Sequence, residues 1–484
     1  MEELKKEGEE LNNKEFNGGK TEQEKILDHV RLKLKKEKTL ELSIKEGSAT
    51  AVMSGAGETY IVPYALALNA TNVQIGFLSS FVSLFGAWSQ IIGSKLVYKY
   101  SRKNLIVRSV LLQAFMWILI LVLGILFWKG IINGFAAGIL IVLYCLYAIS
   151  GNLAGPAWFS LMGDLIPEEK RGEYFSRRNK IIGLVAIIVT IGASIWLDYT
   201  KELGLVIIGF TVLFAIASVS RFISAYYFTK HYYPRREVKK DSYFGFFDFM
   251  KKAPTNNFGR FTIYIALINF ATYFAAPFFT VYMLKELNYS YVLFMIVALS
   301  ASLFTIISLP MWGKVGDKYG NRELMKIGGI IIPFTPLLWV FSGNPIYLIL
   351  TAQLTAGVGW AAFNLGTSNF IYDAVTPQKR SICVAYFNMI SGFGIFFGAV
   401  AGGLFAQYVH FTWINTFLLV FIVSAVARAI ISLIFFRRIK EVRNVEDEKN
   451  IHVFTYFHML APKPFFGLNK GIHEMTHHKG EEKI

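Results

Sequence analysis

Twelve long apolar runs follow one another along this sequence, and they restrict its fold more than any other feature. About 20 apolar residues, at a rise of about 1.5 Å per residue, cross the hydrocarbon core of a bilayer. Backbone groups in that core must hydrogen-bond to one another, and the runs lack the alternation of barrel strands. We therefore predict an all-α membrane protein with 12 transmembrane helices. The runs are centred near Glu58, Val82, Trp117, Tyr144, Val185, Leu213, Thr272, Val297, Pro333, Ala356, Gly394 and Phe421.

Charged residues are concentrated in the two tails and in short turns between the runs. Only 17% of the 484 residues are charged, whereas soluble domains average about 25%. The turns after the even-numbered runs are basic, and the opposite turns offer only Lys129, Lys201 and Lys285. Because Lys and Arg collect on cytoplasmic loops, we expect a multi-pass protein of the cell membrane with both termini in the cytoplasm. The same asymmetry accounts for the net charge of +16, so we expect no nucleic-acid partner.

The two halves of the chain repeat each other, which indicates a duplicated unit of six helices. The matched segments are Pro63 with Pro277, residues 99–105 with 318–324, residues 164–171 with 373–380, and Arg221 with Arg428. We predict a cytosolic tail over 1–47, six-helix bundles over 48–228 and 258–438, a cytosolic loop over 229–257, and a cytosolic tail over 439–484. The N-terminal tail is either an amphipathic helix on the membrane surface or a solvated segment.

The turn between the eighth and ninth runs is short, glycine-rich and net basic. Its pattern is Gly, three residues, Asp, Lys, one residue, Gly, one residue, Arg, formed by Gly313, Asp317, Lys318, Gly320 and Arg322. This turn resembles the signature loop of the major facilitator superfamily, and the resemblance covers about residues 48–438. It implies two pseudo-symmetric six-helix bundles that rock about a central cavity, which is lined by the first, fourth, seventh and tenth helices.

By the same resemblance, charged residues at the cytoplasmic ends of the helices form a gate. Arg322 would pair with Asp373, and the matching pair in the first half would be Lys103 with Asp164. Asp317 would meet the amino end of the fifth helix, where a carboxylate complements the helix dipole and free amides.

Arg171 and Arg380, at matching positions of the two halves, complete the predicted gate. The first-half turn departs from the signature, since Tyr98 replaces the aspartate and Ser101 replaces a glycine. We therefore expect a latch on one side only. The alternative interpretation is that these charges only fix the topology.

Glu58 lies about midway through the first run, whereas Arg221 and Arg428 lie near the cytoplasmic ends of their runs. A charged carboxylate at the membrane midplane is costly, so Glu58 must be protonated, face water or meet a cationic ligand. We predict that Glu58 is a coupling proton site or a contact for a cationic substrate. The alternative is a neutral glutamic acid that joins helices by bonding Thr272 or another hydroxyl group.

Other polar residues at the predicted depth of the cavity suit a polar or aromatic solute, although packing between helices is an equal alternative for each. They are Tyr60, Tyr147, Asn152, Asn269, Thr272, Tyr273, Trp360, Asn364 and Tyr386. In the eleventh run Gly394, Gly398 and Gly402 recur every four residues, which predicts a face for tight helix packing or bending.

The sequence predicts neither a cofactor nor a bound metal. Cys145 and Cys383 lie inside apolar runs, so neither a disulfide framework nor a zinc site is available. His473 and His477 would share a face of a helical C-terminal tail and could then hold a metal, but we favour a solvated tail.

The leading functional interpretation is a secondary transporter, since the sequence has no Walker-type loop for ATP. Its partners would be membrane lipid, a small-molecule substrate and, through Glu58, protons, and we expect a monomer. The alternative is a protein of the same fold that does not transport a solute and instead works as a receptor or scaffold, or moves lipid between leaflets. We do not expect an enzyme, because the runs contain no histidines and acids at the spacing of a metal or nucleophilic site.

Overall fold

The computed structural model describes residues 22–167, 171–234, 245–411, 413–436 and 438–442. Every regular element within these residues is helical. Eleven helical stretches are long and apolar enough to span a membrane, and the first crossing, which precedes them, brings the number to twelve. The prediction of an all-α membrane fold is confirmed. Most of residues 1–47 lie in the described part, but His473 and His477 lie outside it.

Within the described residues, the first half of the chain contributes seven α-helices. They are α1 (Glu22–Ala56), α2 (Ile61–Ala67), α3 (Asn72–Lys99), α4 (Arg102–Trp128), α5 (Ala136–Leu165), α6 (Arg171–Glu202) and α7 (Val206–Lys230). A short helix, α8 (Phe246–Lys252), lies in the connection between the halves. The second half follows with α9 (Asn257–Tyr273), α10 (Ala276–Val281), α11 (Tyr291–Tyr319), α12 (Asn321–Ile331), α13 (Phe334–Phe341), α14 (Pro345–Leu348), α15 (Leu354–Ala374), α16 (Pro377–Tyr408) and α17 (Thr416–Phe435).

The first crossing is a broken helix. It consists of the end of α1, a 3₁₀ turn at Glu58–Tyr60, and α2. A Cβ atom at Gly57 would lie 2.6 Å from the Trp117 ring, so a larger residue would not fit at the break without movement of the ring. Glu58 lies at this break, and the first crossing is not among the eleven apolar spans counted above.

The N-terminal part of α1 continues the first crossing beyond the predicted membrane boundary. It packs on α6 and α7, where the Tyr174 hydroxyl donates to the Leu40 carbonyl oxygen at 3.0 Å. The backbone N–H of Tyr232 donates to Thr39 Oγ1 at 2.9 Å. Thr39, Ser43 and Glu46 of this segment are buried against the bundle, whereas Lys33, Lys38 and Glu41 are exposed, so only one face of the helix packs on the protein. The cytosolic location of residues 1–47 stays a prediction.

The seventh crossing repeats the break of the first. α9 ends at Tyr273, α10 carries Pro277 in its first turn, and a π-helical turn at Tyr282–Glu286 completes the crossing. Proline is tolerated in a first turn because the N–H that it lacks has no partner there. Pro63 occupies the matching place in α2, so the pseudo-symmetry of the sequence is also a pseudo-symmetry of helix geometry.

The two halves meet along α3 and α16. A Cβ atom at Gly76 would lie 2.5 Å from the Ala399 carbonyl oxygen, so the two helices touch nearly backbone to backbone. At the start of α3 the backbone N–H of Asn72 donates to Gln407 Oε1 at 3.2 Å, and its side-chain amide donates to the Ala406 carbonyl oxygen at 3.1 Å. We call this end of the bundle the opposite end, and the end that carries the basic turns the basic end.

The glycine face of the eleventh crossing packs tightly, as one of the two alternatives from the sequence predicted. Cβ atoms at Gly394 and Gly398 would lie 2.1 and 2.2 Å from the carbonyl oxygens of Ala266 and Phe270 on α9. Gly402 makes an equally close approach to the residue that follows α9. The glycines therefore permit close contact between α16 and the seventh crossing, and α16 is a single helix without a break.

Candidate functional site

A cavity of about 490 Å³ lies within the first half of the molecule. Its wall is formed by side chains from α1, α3, α4, α5, α6 and α7 and by the 3₁₀ turn of the first crossing. Three of the residues predicted for the substrate cavity lie in this wall, namely Glu58, Tyr147 and Asn152. The cavity is large enough for a small solute and brings a carboxylate into contact with open space.

Glu58 is held by two hydroxyl groups and faces the cavity. Ser54 Oγ, one turn earlier on α1, donates to Glu58 Oε2 at 2.6 Å. The Tyr147 hydroxyl on α5 donates to Glu58 Oε1 at 2.5 Å, which joins the first crossing to the fourth. Glu58 thus bonds hydroxyl groups, as the alternative of a glutamic acid that joins helices predicted. Thr272 is not one of the donors to Glu58 in the described structure. The carboxylate also borders open space, which helix packing alone would not require.

An aromatic and amide surface lies beside Glu58 on the same wall. Tyr144 and Tyr147 stack with ring centroids 5.3 Å apart and an interplanar angle of 5°. Further along α5, Asn152 Oδ1 accepts from Gln90 Nε2 at 2.8 Å. The sequence identified Tyr147 and Asn152 and missed Tyr144, whose spacing of three residues from Tyr147 indicates a shared helix face.

Arg221 also lines the cavity, although the sequence placed it near a cytoplasmic end. Its Nε donates to Gln113 Oε1 at 2.9 Å, and its Nη1 donates to Thr50 Oγ1 at 2.8 Å. Helical side chains lean toward the N-terminus of their helix, and α7 runs from the opposite end to the basic end. The guanidinium group therefore reaches back toward Glu58. The wall of the cavity thus includes a positively charged side chain, Arg221, as well as the carboxylate of Glu58.

Arg428 makes the corresponding contacts in the second half. Its Nη1 and Nη2 donate to the carbonyl oxygens of Ile332 and Thr272 at 3.4 and 3.5 Å. Ile332 corresponds to Gln113 in the internal repeat, and Thr272 corresponds to Glu58. Arg221 was not among the predicted cavity residues; the repeated pair of arginines is the feature of the sequence that could have identified it.

The other predicted cavity residues lie elsewhere. Tyr60 is fully buried, and its hydroxyl donates to the Thr190 carbonyl oxygen at 2.6 Å. Trp360 packs on Phe363 with ring centroids 5.7 Å apart, and Tyr386 packs on an aromatic ring of α8. The remaining residues are on the second half and do not line this cavity, namely Asn269, Thr272, Tyr273 and Asn364.

The signature turn joins α11 to α12 and is fixed by the segment after α17. Gly320 has φ of +90°, a conformation that residues with a side chain rarely adopt. Glu441 Oε2 accepts from the backbone N–H of Arg322 at 2.7 Å, and Arg322 Nη2 donates to the Phe436 carbonyl oxygen at 3.2 Å. A Cβ atom at Gly313 would meet nothing within 4 Å, so packing in this arrangement does not require a glycine there.

The predicted charge pairs are displaced by one residue in both halves. Arg102, and not Lys103, approaches Asp164, with its Nη1 2.6 Å from Asp164 Oδ2. In the second half Asn321 Nδ2 donates to Asp373 Oδ2 at 2.6 Å. Consecutive helical residues point about 100° apart, so only one of two neighbours can face the acid. The two arrangements again correspond to each other in the repeat.

The halves are joined at the opposite end by Asp198 of α6. Its Oδ1 and Oδ2 accept from the backbone N–H groups of Tyr291 and Val292 at 2.7 and 2.9 Å. Ser290 Oγ accepts the next free N–H of the helix, from Leu293, at 3.1 Å. A carboxylate of one half thus caps the N-terminus of α11 in the other half, where the helix dipole favours negative charge.

Asp317 is exposed at the basic end. Among the residues that the structure describes, no hydrogen bond or salt bridge joins Asp317 to residues 173–176 at the amino end of the fifth crossing. Lys318 is also exposed, with its Nζ 5.2 Å from the Tyr319 ring centroid. Arg171 and Arg380 lie in helices, and their side chains are outside the described part of the molecule.

Comparison with known proteins places this geometry in a known family. The model of the Major Facilitator Superfamily matches residues 48–251 and 261–472. An uncharacterised MFS-type transporter of Methanocaldococcus jannaschii is 25% identical over 403 residues, which cover 80% of this chain and 95% of that protein. The crystal structure of the nucleoside transporter NupG superimposes with a TM-score of 0.60 at 16% identity, covering 83% of this chain and 100% of that chain.

Other curated relatives match over short stretches. Vacuolar basic amino acid transporter 1 of Saccharomyces cerevisiae is 28% identical over 98 residues, which cover 20% of this chain and 17% of that protein. The chain thus spans about a fifth of the length of such relatives.

Proposed function

Because the chain belongs to the Major Facilitator Superfamily, we propose that it is a secondary transporter that carries a small solute across the plasma membrane by alternating access. Glu58 binds either a proton or the cationic group of the solute. The observation that carries this proposal is the Glu58 carboxylate at the wall of a cavity of about 490 Å³, held by Ser54 and Tyr147. Carboxylates at membrane depth are costly and commonly mark ion or substrate pathways.

The wall chemistry favours a polar solute with a cationic or aromatic group. Glu58 supplies negative charge, the stacked Tyr144 and Tyr147 supply an aromatic surface, and Asn152 supplies amide hydrogen bonds. One relative of the chain over a short stretch is named a basic amino acid transporter, which is consistent with a cationic solute.

Alternating access requires that contacts at the two ends of the bundle form in turn. We propose that the contacts of Asp198 and Asn72 close the extracellular side in the present arrangement, which faces the cytoplasm. In the outward-facing state Asp317 would meet the amino end of the fifth crossing and close the cytoplasmic side. This assignment uses the orientation that the basic turns predict, with both termini in the cytoplasm. The transporter works as a monomer in this scheme, since the cavity lies within one chain.

The test is flux through the purified protein in liposomes, after a thermal-shift screen of solutes at two pH values has identified a ligand. We expect a pH gradient to accelerate uptake by the wild type and to have no effect on Glu58→Gln, if Glu58 couples protons. If Glu58 instead binds the cationic group, the Gln variant loses affinity for the solute. Glu202→Gln removes an exposed acid at the end of α6 and serves as the control.

Unchanged affinity and unchanged pH dependence in Glu58→Gln would contradict the role of this residue. Ligand binding without flux in the wild type would contradict transport and favour the receptor interpretation.

A further inference from the structure

A polar stripe follows α1 from the basic end into the cavity. Glu46, Thr50, Ser54 and Glu58 recur every four residues, a spacing that places side chains on one helix face. The bond from Ser54 to Glu58 shows that this face is kept across the break at the end of α1. Thr50, Ser54 and Glu58 all line the cavity, so the stripe borders open space over most of its length.

Glu46 ends the stripe at the basic end and is a second buried carboxylate. Only 4% of its surface is exposed. Thr50 Oγ1 donates to Glu46 Oε1 at 3.1 Å, while Arg178 Nη2 lies 3.4 Å from Glu46 Oε2. One carboxylate oxygen therefore faces the cavity side of α1, and the other faces the arginine on α6.

Several groups from neighbouring elements face Glu46. Arg178 and Tyr174 approach from α6, Arg221 from α7, and Tyr233 from the segment after α7. Glu46 lies two residues before residue 48, where the first predicted bundle begins, and is therefore outside the predicted membrane-spanning part. Burial raises the pKa of Glu46, and the two arginines act against this by stabilising its charged form. Both protonation states are thus supported by the surroundings.

We propose that Glu46 is a second proton-binding carboxylate, which exchanges protons between Glu58 and the cytoplasm along the stripe of Thr50 and Ser54. The inference rests on the proposed function of Glu58 as a proton site. In the inward step, protonated Glu58 becomes a carboxylate and the carboxylate of Glu46 becomes protonated. Each hydroxyl group along the stripe gives up one proton and receives another, so it ends unchanged. Glu46 then releases its proton past Arg178 to the cytoplasm.

Thr50 has a specific place in this path. Its hydroxyl donates to Glu46 and accepts from Arg221 Nη1, while its side chain lines the cavity that contains Glu58. Thr50→Val keeps the size of the side chain and the ion pair of Glu46 with Arg178, but removes the hydroxyl group. This variant therefore separates a proton path from a purely structural ion pair.

Infrared titration of the full-length protein in lipid bilayers tests the proposal directly, with protons as the only ligand. The C=O stretch of protonated carboxyl groups is recorded as the pH is lowered. We expect Glu46→Gln to remove one titrating band and Glu58→Gln to remove another. Glu41→Gln, which changes an exposed acid of the same helix, leaves both bands in place.

A pH jump applied to the same samples tests the path. Protonation of Glu58 should slow by about 100-fold in Glu46→Gln and in Thr50→Val, the lower end of what a positioned proton carrier contributes. The Glu41→Gln variant should react at the wild-type rate. A Glu46→Gln spectrum identical to that of the wild type, or unchanged protonation kinetics of Glu58 in both variants, would overturn the proposal.

These measurements do not depend on transport. If Glu58→Gln retains pH-driven flux while Glu46 still titrates, the proposed function of Glu58 fails and the proton site at Glu46 stands. If pH-driven flux depends on Glu58 but Glu46 never takes up a proton, the function stands and the inference about Glu46 fails.

Discussion

Glu58 and Arg221 carry opposite charges on one cavity wall, yet no direct salt bridge joins them in the described structure. Arg221 is bonded to neutral Gln113 and Thr50, and Glu58 is bonded to the hydroxyl groups of Ser54 and Tyr147. Each charge is thus stabilised by neutral hydrogen-bonding groups. The proton or cation binding that we propose for Glu58 therefore requires no ion pair with Arg221 to break first.

His231, just after α7, predicts a pH dependence of stability. It is 5% exposed, and burial lowers its pKa to about 4 from an ordinary 6.5. Above pH 6.5 the ring is neutral in the folded and unfolded chains, so it contributes no pH dependence. As the pH falls from 6.5 to 4, only the unfolded chain takes up the proton, which should lower the free energy of unfolding by about 3 kcal/mol.

Thermal unfolding in detergent at several pH values measures this effect. His231→Leu removes the titrating group and should flatten the acid side of the stability profile, whereas His410→Leu, at an exposed position, should not. Equal acid sensitivity of the wild type and His231→Leu would show that another group is responsible.

At the scale of helices, the cap of α11 by Asp198 links the two halves through one side chain. Asp198→Ala leaves the backbone N–H groups of Tyr291 and Val292 without this partner and removes a charge that favours the helix N-terminus. Such a contact contributes up to about 2 kcal/mol, so we expect a shift of up to about 30-fold toward the outward-open state. The shift is measured as the distance between one spin label at the C-terminal end of α6 and another at the N-terminal end of α11.

The matched control for this change is Glu202→Ala, which removes an exposed acid from the same helix end. Similar distance distributions for Asp198→Ala and the wild type would show that the cap does not hold this end closed.

The close contact between α9 and α16 predicts that adding a methyl group at one of its glycines lowers the stability of the protein. A Cβ atom at Gly398 would lie 2.2 Å from the backbone oxygen of Phe270, which cannot rotate away. Gly398→Ala should therefore destabilise the protein by about 1–3 kcal/mol, as overpacked sites do. Gly192→Ala, where a Cβ atom would meet nothing within 4 Å, should leave the thermal midpoint nearly unchanged or raise it slightly. Equal midpoints for the two variants would contradict this account of the glycine face.

For the whole molecule, the recorded contacts of Asp198 and Asn72 join the halves at the opposite end, while Asp317 is exposed at the basic end. If Asp317 closes the basic end in the other state, Asp317→Ala should insert normally, transport poorly and accumulate in the inward-open state. Asp248→Ala, at an exposed site of α8, is the control. Solute flux and cysteine accessibility at the basic end are the measurements. Wild-type flux and accessibility in Asp317→Ala would leave the charges of the signature turn with a role in topology only.

The sequence determined the features that depend on local composition. Apolar run length predicted the membrane helices because the bilayer sets a minimum length, and the matched segments predicted the pseudo-symmetric halves. The glycine spacing in the eleventh run predicted either tight packing or bending, because small residues allow backbones to approach, and the structure shows the packing. The place of Glu58 in the middle of the first run predicted a carboxylate inside a crossing, and the structure has it at the break of the first crossing.

The tertiary structure decided which side chains meet. Whether Arg102 or Lys103 faces Asp164 depends on the rotation of α4, which weakly patterned apolar helices do not reveal in their sequence. The direction in which Arg221 leans depends on the direction of α7, and the hydroxyl partner of Glu58 depends on how α5 is placed beside the first crossing. These choices are set by packing between helices distant in the chain, so no local pattern records them.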